Sequence, residues 1–253
     1  MSTRIEATFT PADFSALGDR DISQATCVVF DILRATTSMN TALANGAAAV
    51  IPVATIEEAV AIRKERPDVL LAGERDGVRI LADQSGGVDF DLGNSPREYT
   101  EEVVKGRTIV STTTNGTRAL RACTGAKHVF IASFGNLRAI ADWIEQNTVS
   151  HLILVCAGTY EEAAYEDMVA AGALCEFVWA QFVTGYFSDA AEMARQIYRV
   201  MQRDVESAMQ YSRNARRLLS MPDLKDDVLF CCQRENLRLI AALNEAGEIR
   251  VIN

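Results

Sequence analysis

The chain has 253 residues, of which 49% are hydrophobic and 23% are charged, a composition typical of a folded globular protein. Its 34 acidic residues outnumber its 25 basic residues, and the resulting net charge of −9 argues against a protein that binds the backbone of a nucleic acid. A small anion is still an acceptable ligand, because a few arginines can act locally within an acidic protein. No apolar run reaches the roughly 18 residues that a membrane-spanning helix needs, so we expect no membrane contact.

The six cysteines form no Cys-x-x-Cys pair and no dense framework of the kind that disulfide-rich proteins carry. The first six residues lack the apolar stretch of a signal peptide. We therefore expect a cytoplasmic protein whose thiols are reduced.

Short apolar runs alternate with helical patterns in the first 156 residues. Strands are predicted at residues 26–30, 48–53, 69–72, 108–111, 129–132 and 152–156. Helices are predicted between them, at residues 37–45, 55–66, 95–105, 116–123 and 136–146. Strands and helices that alternate in this way indicate βα units, and hence a three-layer α/β/α fold with a mostly parallel or mixed sheet.

The pattern changes after residue 156, where helices are predicted at residues 165–183, 189–199 and 205–219, followed by a short strand at 248–252. This gives the fold a helical C-terminal section. The connection at residues 76–95 has no predicted structure, and so long a connection is often functional. We expect one domain over residues 1–253, with sub-lobes at 1–156 and 157–253 left open. The apolar segment 178–187 favours a place in the core, and a homodimer that uses it as a face remains open.

Ligands of open α/β sheets bind outside the carboxyl ends of the strands, and polar residues gather at those positions here. The candidates are Asp31 and Arg34 after the first predicted strand, Glu74 and Arg75 after the third, Thr114, Asn115, Gly116 and Thr117 after the fourth, and Cys156, Glu166 and Asp167 at or beyond the last. Asn94 and Ser95 end the long connection. Together these residues predict a site for a small anion at this edge of the sheet.

Each group in this set has a definite chemical use. The hydroxyl-rich segment from Thr112 to Thr117 opens a helix, where free backbone N–H groups favour phosphate, although a capped helix start is the alternative. Arginines such as Arg34 and Arg75 match phosphate or sulfonate with a planar fork, although surface ion pairs are the alternative. Carboxylates such as Asp31 suit Mg²⁺, which takes oxygen ligands.

Several other classes of site are missing from the sequence. It has no phosphate-binding P-loop motif and no Gly-x-Gly-x-x-Gly motif. Its only histidines, His128 and His151, stand at or beside the starts of predicted strands, so a histidine-bound zinc site or a Ser-His-Asp triad is not expected. Cys156 is followed six residues later by Glu162 instead of arginine, so the loop of the cysteine phosphatases is absent, and a buried, inert thiol is the alternative reading.

Several of these segments together resemble the 2-phosphosulfolactate phosphatase (ComB-like) family, over about residues 27–235. The matching strings are Asp31-Ile-Leu-Arg34-Ala-Thr-Thr, Leu71-Ala-Gly-Glu74-Arg75, Phe90-Asp91-Leu-Gly-Asn94-Ser95-Pro, Thr112-Thr-Thr-Asn115-Gly116-Thr117-Arg-Ala, Cys156-Ala-Gly-Thr, Glu166-Asp167 and Asp226-Asp227. The resemblance implies a Mg²⁺-dependent acid phosphatase that hydrolyses (2R)-phospho-3-sulfolactate to 3-sulfolactate and phosphate, in the route to coenzyme M.

Taken together, the residues predict a metal-dependent phosphomonoesterase that acts on a small, doubly anionic substrate. The predicted Mg²⁺ ligands are Asp31, Glu166 and Asp167, with Glu74 as an alternate. Thr114, Asn115, Gly116 and Thr117 are predicted to hold phosphate, Arg34 and Arg75 to stabilise its charge or bind the sulfonate, and Asn94 and Ser95 to line the pocket. The nucleophile is left open between water, Asp31 and Cys156. The alternatives are a phosphatase acting on another phosphorylated 2-hydroxy acid, and an anion-binding α/β domain without catalysis.

Overall fold

A computed structural model describes residues 3–252. Residues 1, 2 and 253 fall within the predicted single domain, and they lie outside the described part. The described strands are β1 (Arg4–Thr8), β2 (Thr26–Phe30), β3 (Ala49–Pro52), β4 (Leu70–Arg75), β5 (Val78–Arg79), β6 (Thr108–Thr112), β7 (His128–Ala132), β8 (His151–Cys156), β9 (Tyr186–Phe187), β10 (Ile240–Leu243) and β11 (Ile249–Ile252).

The described α-helices are α1 (Pro11–Ser15), α2 (Ala35–Ala44), α3 (Ile56–Glu65), α4 (Ala82–Ser85), α5 (Glu101–Val104), α6 (Gly116–Ala122), α7 (Leu137–Gln146), α8 (Tyr165–Phe182), α9 (Asp189–Met201), α10 (Val205–Ala208), α11 (Arg213–Leu219) and α12 (Lys225–Cys231). They cover both faces of the sheet, so the predicted three-layer α/β/α fold with a mixed sheet and a helical section after β8 is confirmed.

The sheet contains two parallel blocks joined by an antiparallel hairpin. Its order is β5-β4-β6-β3-β11-β10-β7-β2-β8-β1-β9. β4, β6 and β3 form one parallel block, and β7, β2, β8, β1 and β9 form the other. The hairpin β10–β11 pairs with β7 on one side and with β3 on the other. The last strands of the chain therefore link the two blocks.

Alternating strand residues separate the cores on the two faces of the sheet. Cys27 and Val29 of β2 belong to a core that also contains residues of α1, α2 and α6. Val28 and Phe30 belong to a second core, which contains residues of α7 and α8. A third, smaller core lies between β4, β6 and α3. Because β2 and β8 are buried on both faces, they carry continuous apolar runs, and this explains why they were predicted from the sequence.

The structure corrects three of the predicted elements. The helix predicted at 95–105 is a 3₁₀ turn (Pro96–Glu98) followed by α5, because the Tyr99 carbonyl accepts a hydrogen bond from Asn45 Nδ2 (2.6 Å) instead of continuing a helix. The helix predicted at 205–219 is divided into α10, a 3₁₀ turn and α11, because Ser212 is extended and its hydroxyl caps α11. The connection 76–95, predicted to lack structure, contains β5 and α4.

The apolar segment 178–187 serves two roles. Val178 and Phe182 are buried in the core, as expected, whereas Tyr186 and Phe187 are 51% and 39% exposed on β9 at the edge of the sheet. The homodimer stays a prediction. Among residues 3–252, no helix combines the length and the apolar character needed to cross a bilayer.

Candidate active site

A small cavity of about 60 Å³ opens where loops after β2, β4, β6 and β8 meet. The two parallel blocks come together here, since Asn115 Nδ2, after β6, donates a hydrogen bond to the Ala157 carbonyl, after β8 (3.0 Å). Of the predicted site residues, six line the cavity: Asp31, Arg34, Glu74, Asn94, Thr114 and Asn115. The idea that polar residues at the strand ends share one site therefore agrees with their placement.

Asp31 follows β2 directly, and one of its carboxylate oxygens accepts a hydrogen bond from the backbone four residues later. Its Oδ1 accepts a hydrogen bond from the Ala35 N–H at the start of α2 (3.2 Å). Its Oδ2 lies beside Gly116, so close that a Cβ atom at Gly116 would be only 2.7 Å away. The pKa of Asp31 is raised to about 7. Burial is the largest cause, and the nearby Glu74 and Glu166 carboxylates also raise the pKa, whereas the hydrogen bond from Ala35 lowers it. This carboxylate is therefore placed where a cation would stabilise its charge.

Glu74 is held by donors from both sides of the cavity. Its Oε2 accepts from the Gly77 N–H (2.7 Å), and its Oε1 accepts from the N–H and the hydroxyl of Thr114 (3.2 and 3.0 Å). The Thr114 hydroxyl, predicted to hold phosphate, thus donates to a carboxylate.

Two buried polar atoms beside the cavity have no hydrogen-bond partner among the described residues: Thr113 Oγ1 and Asn115 Oδ1. Thr113 and Asn115 are 3% and 4% exposed, and both line the cavity. Asn115 Nδ2 is already bound to the Ala157 and Tyr160 carbonyls, which leaves its Oδ1 to accept from water or to bind a cation. Unpaired buried groups are costly, so these atoms indicate a ligand or an ordered water in the cavity.

Glu166 and Asp167, at the start of α8, lie behind the cavity and do not line it. Asp167 accepts from the backbone N–H groups of Ile32 (2.9 Å) and Gly158 (3.1 Å), and it thereby ties the loops after β2 and β8 together. Glu166 accepts from Ser212 Oγ (2.6 Å) and Asn214 Nδ2 (3.3 Å). Burial raises the pKa of both carboxyls, and the charges of Glu166 and Asp31 raise that of Asp167 further.

Arg34 reaches the cavity from a buried ion pair. Its Nη1 donates to Asp227 Oδ2 (2.7 Å), and its Nη2 donates to the Gly77 carbonyl (2.7 Å). Asp227 is completely buried on α12 and also accepts from Ser95 Oγ and Arg97 Nε, both at 2.7 Å. Ser95 therefore supports the site through Asp227 and does not line the cavity.

The remaining predicted residues lie outside the lining of the cavity. Arg75 donates to its neighbour's carbonyl (Glu74 O, 2.7 Å) and to Thr112 Oγ1 (3.2 Å). Thr117 Oγ1 donates to the Thr113 carbonyl (3.1 Å), and Gly116 contributes close approach rather than a side chain. Cys156 is completely buried in the core, where burial and the charges of Asp167 and Glu166 raise its pKa well above the ordinary value.

Sequence reasoning missed Arg217, Tyr160 and Asp227 as site residues, and it included Thr113 only within the candidate segment 112–117. Arg217, on α11, and Tyr160, after β8, line the cavity. The Tyr160 hydroxyl donates to Asp76 Oδ1 (3.2 Å), which joins the loop after β8 to the loop after β4. The run of three threonines at 112–114 was the sequence signal for Thr113. Arg217 and Asp227 lie on helices, so the rule that ligands bind at strand ends could not predict them.

The acidic residues suit a hard cation only in part. Asp31, Glu74, Glu166 and Asp167 bring four carboxylates into one region, while the nearby Arg34 is already paired with Asp227. Over the described range 3–252, no group of three or more His, Cys, Asp or Glu is arranged to hold a metal ion. Mg²⁺ often needs only one or two carboxylates, because waters and substrate phosphate complete its octahedron. Asp31 Oδ2 and Asn115 Oδ1 are oxygen atoms of two residues that line the cavity, so the donor set is chemically compatible with Mg²⁺.

We expect Gly116→Ala to lower turnover by about 100-fold, a loss typical when reacting groups are displaced by about 1 Å. The added methyl would lie 2.7 Å from Asp31 Oδ2 and 3.0 Å from Ala35 Cβ, so the carboxylate must move. Steady-state kinetics would test this, with Gly18→Ala as the control, because a Cβ there meets no atom within 4 Å. Unchanged kinetics in Gly116→Ala would mean that Asp31 is not held in a fixed position.

We expect Cys156→Ala to keep turnover within about twofold of the wild type, because its thiol is buried in the core and does not line the cavity. Thermal unfolding should show a stability loss of about 1 kcal/mol from the small cavity that is left. A loss of turnover without a matching loss of folded protein would return Cys156 to the list of nucleophiles.

A cavity with convergent polar groups, arginines and buried carboxylates at the strand ends of an α/β sheet defines an enzyme-like site for a small anion. Comparison with known proteins gives the family. A family model described as 2-phosphosulpholactate phosphatase matches residues 14–246.

Named relatives agree over nearly the whole chain. A protein named probable 2-phosphosulfolactate phosphatase from Clostridium acetobutylicum is 36% identical over 91% of this chain and 94% of its own. Proteins of the same name from Caldanaerobacter subterraneus and Thermotoga maritima are 36% and 38% identical, over 91% and 86% of this chain and 92% and 88% of their own. The chain therefore belongs to the 2-phosphosulpholactate phosphatase family, and both the predicted family and the predicted enzyme class, a phosphoric monoester hydrolase, are confirmed.

Proposed function

We propose that this protein hydrolyses 2-phosphosulfolactate to 3-sulfolactate and phosphate, with Mg²⁺ bound at the cavity, as a step of the coenzyme M route. The observation that carries the proposal is the meeting of Asp31 Oδ2 and the unpaired Thr113 Oγ1 around Gly116, within 2.7 and 3.3 Å of one Cβ position. An acceptor-only carboxylate and a free hydroxyl donor are what a cation and a phosphoryl oxygen need. The names of the relatives supply the substrate.

The residues divide the work between them. Asp31 and Asn115 Oδ1 would hold Mg²⁺, which lowers the barrier by drawing charge from the phosphoryl oxygens when it is bound. Thr113 Oγ1 would donate to a phosphoryl oxygen. Arg34 would stabilise the negative charge of the phosphoryl group, and Asp227 holds the Arg34 guanidinium in position through an ion pair. Glu74 orients Thr114 through two hydrogen bonds. Asp167 fixes the loops that carry Asp31 and Gly158, and Glu166 accepts a hydrogen bond from Asn214 at the start of α11.

The experiment measures phosphate release from 2-phosphosulfolactate, from 2-phospholactate and from phenyl phosphate. Each substrate is tested with EDTA and again after Mg²⁺ is restored. We expect the highest kcat/KM on 2-phosphosulfolactate, loss of turnover with EDTA and recovery with Mg²⁺. Activity that EDTA leaves unchanged would refute the metal.

Two alternatives give different results in the same experiment. A higher kcat/KM on 2-phospholactate would favour a phosphatase for another phosphorylated 2-hydroxy acid. Binding of phosphate without release from any ester would favour a non-catalytic anion-binding domain. The cytoplasmic location and the homodimer remain predictions, which fractionation and sedimentation would test.

A further inference from the structure

Two guanidinium groups flank Gly77 at one side of the cavity. A Cβ atom at Gly77 would lie 2.9 Å from Arg217 Nη2 and 3.8 Å from Arg34 Nη2. Arg34 comes from the start of α2, and Arg217 comes from α11. Both line the same cavity as Asp31 and Thr113. The cavity therefore carries a second cationic position that is separate from the Asp31–Gly116 contact.

The two arginines differ in their partners. Arg34 is buried and neutralised by Asp227, and its Nη2 is taken by the Gly77 carbonyl. Arg217 is exposed, and the one hydrogen bond that its guanidinium makes among residues 3–252 goes to the Asp76 carbonyl (3.2 Å). No carboxylate of the described chain forms an ion pair with it. Arg217 thus offers a full charge and most of its N–H donors to the cavity.

The neighbouring arginines of α11 show that this is particular to Arg217. Arg213 forms an ion pair with Glu162, and Arg216 donates to the Gln210 carbonyl (2.8 Å). Neither lines the cavity. Ser212, whose hydroxyl caps the helix, and Asn214, which donates to the Leu33 carbonyl (2.7 Å), hold α11 against the loop after β2. The helix therefore presents Arg217 to the cavity from a fixed base.

We infer that Arg217 is a specificity-determining residue that binds a second anionic group of the substrate, on the carbon skeleton and away from the phosphate. This rests on the proposed function, since it assumes that the phosphoryl group lies at Asp31 and Thr113. A guanidinium matches a carboxylate or a sulfonate through two parallel N–H donors, and both are anions that a phosphorylated sulfo acid carries. Arg217 takes the role that the sequence suggested for Arg75.

The test uses the protein with Arg217→Met, which keeps an unbranched apolar side chain and removes the guanidinium group with its charge. Arg216→Met is the matched control, one residue away on the same helix. The substrates are 2-phosphosulfolactate, 2-phospholactate, which lacks the sulfonate, and phenyl phosphate, which lacks both anions. We expect the KM for 2-phosphosulfolactate to rise about 10- to 100-fold in Arg217→Met, the range for lost hydrogen bonds to charged groups. The kcat should change little, and phenyl phosphate should be hydrolysed as by the wild type.

The arms of the test separate the outcomes. An equal rise in KM for 2-phospholactate assigns Arg217 to the carboxylate, and a rise confined to 2-phosphosulfolactate assigns it to the sulfonate. The inference would be overturned if Arg217→Met lost as much activity on phenyl phosphate as on 2-phosphosulfolactate, or if its KM changed for none of the substrates. Either result would leave the proposed function intact. If the wild type released no phosphate, the proposed function would fail. Calorimetry would then still test Arg217, because equal affinities of the wild type and Arg217→Met for 3-sulfolactate would show that Arg217 does not bind its anionic groups.

Discussion

Asp31→Asn should lower kcat about 1,000-fold or more and leave the protein folded. The asparagine can keep the hydrogen bond from the Ala35 N–H through its Oδ1, so the turn after β2 should survive. It cannot offer a negative oxygen at the position that faces Gly116. The proposed Mg²⁺ would lower the barrier by several kcal/mol, and losing about 4 kcal/mol of that stabilisation corresponds to about a thousandfold in rate.

The same variant makes a separate prediction about stability and pH. The pKa of Asp31 is about 7 in the folded protein against an ordinary value of 3.8, so the fold favours the protonated carboxyl. Its contribution to stability is complete below about pH 4 and is lost as the pH rises through about 7. In EDTA, the wild type should therefore lose more stability than Asp31→Asn between pH 4 and pH 8.

Urea unfolding of both proteins across this pH range measures the difference. Asp13→Asn is a control, since Asp13 is exposed in the first turn of α1 and does not line the cavity. Full activity in Asp31→Asn, or equal pH dependence in the two proteins, would contradict the central place given to Asp31.

Asp227→Asn should destabilise the protein by about 3 kcal/mol and lower kcat/KM about 100-fold. Asp227 is fully buried and accepts hydrogen bonds from Arg34, Ser95 and Arg97. Removing its charge leaves Arg34 buried without a counter-ion, a change that typically costs 3 to 5 kcal/mol. For a chain of this size, the fall in melting temperature would be about 6 to 12 °C.

A second variant separates folding from function. Asp226→Asn is the matched control. The Asp226 side chain is 58% exposed, and its ion pair with Arg97 is long, at 3.8 Å, so its loss should change stability by less than 1 kcal/mol. The double variant Arg34→Met/Asp227→Leu removes both charges and should regain most of the lost stability, since apolar residues can replace a buried ion pair. It should not regain activity. Recovery of activity would show that Arg34 does not serve the reaction.

Elements buried on two faces were predictable, and elements defined by distant partners were not. β2 and β8 are recognisable in the sequence as unbroken apolar runs, because helices cover both faces of the sheet and both faces of these strands are buried. β10 is also apolar (IAAL), but so short an apolar run does not distinguish a strand from a helix, and its place is set by pairing with β7 and β11. The helix predicted at 205–219 failed because Ser212 satisfies Glu166, 46 residues away, and restarts the helix.

The candidate site divides in the same way. Asp31, Glu74 and Asn115 could be predicted because each lies at or just beyond the carboxyl end of a strand, and the ends of β2, β4 and β6 meet at the cavity. Arg75 and Cys156 also follow or end strands, but one binds its own neighbour's carbonyl and the other packs into the core. Arg217 and Asp227 lie on α11 and α12, which only tertiary packing brings to the cavity. Position relative to a strand end thus locates a site but does not choose which of two adjacent side chains enters it.

The placement of β10 and β11 at the centre of the sheet makes folding depend on contacts between residues that are distant in sequence. Ala241 of β10 pairs with Ile131 of β7, and Ile249 of β11 pairs with Val50 of β3. Contacts of such long sequence separation slow folding, because the chain between the two partners must be ordered before the pairing stabilises it. Until the hairpin is in place, β3 and β7 each have an unpaired backbone edge, and such edges favour aggregation.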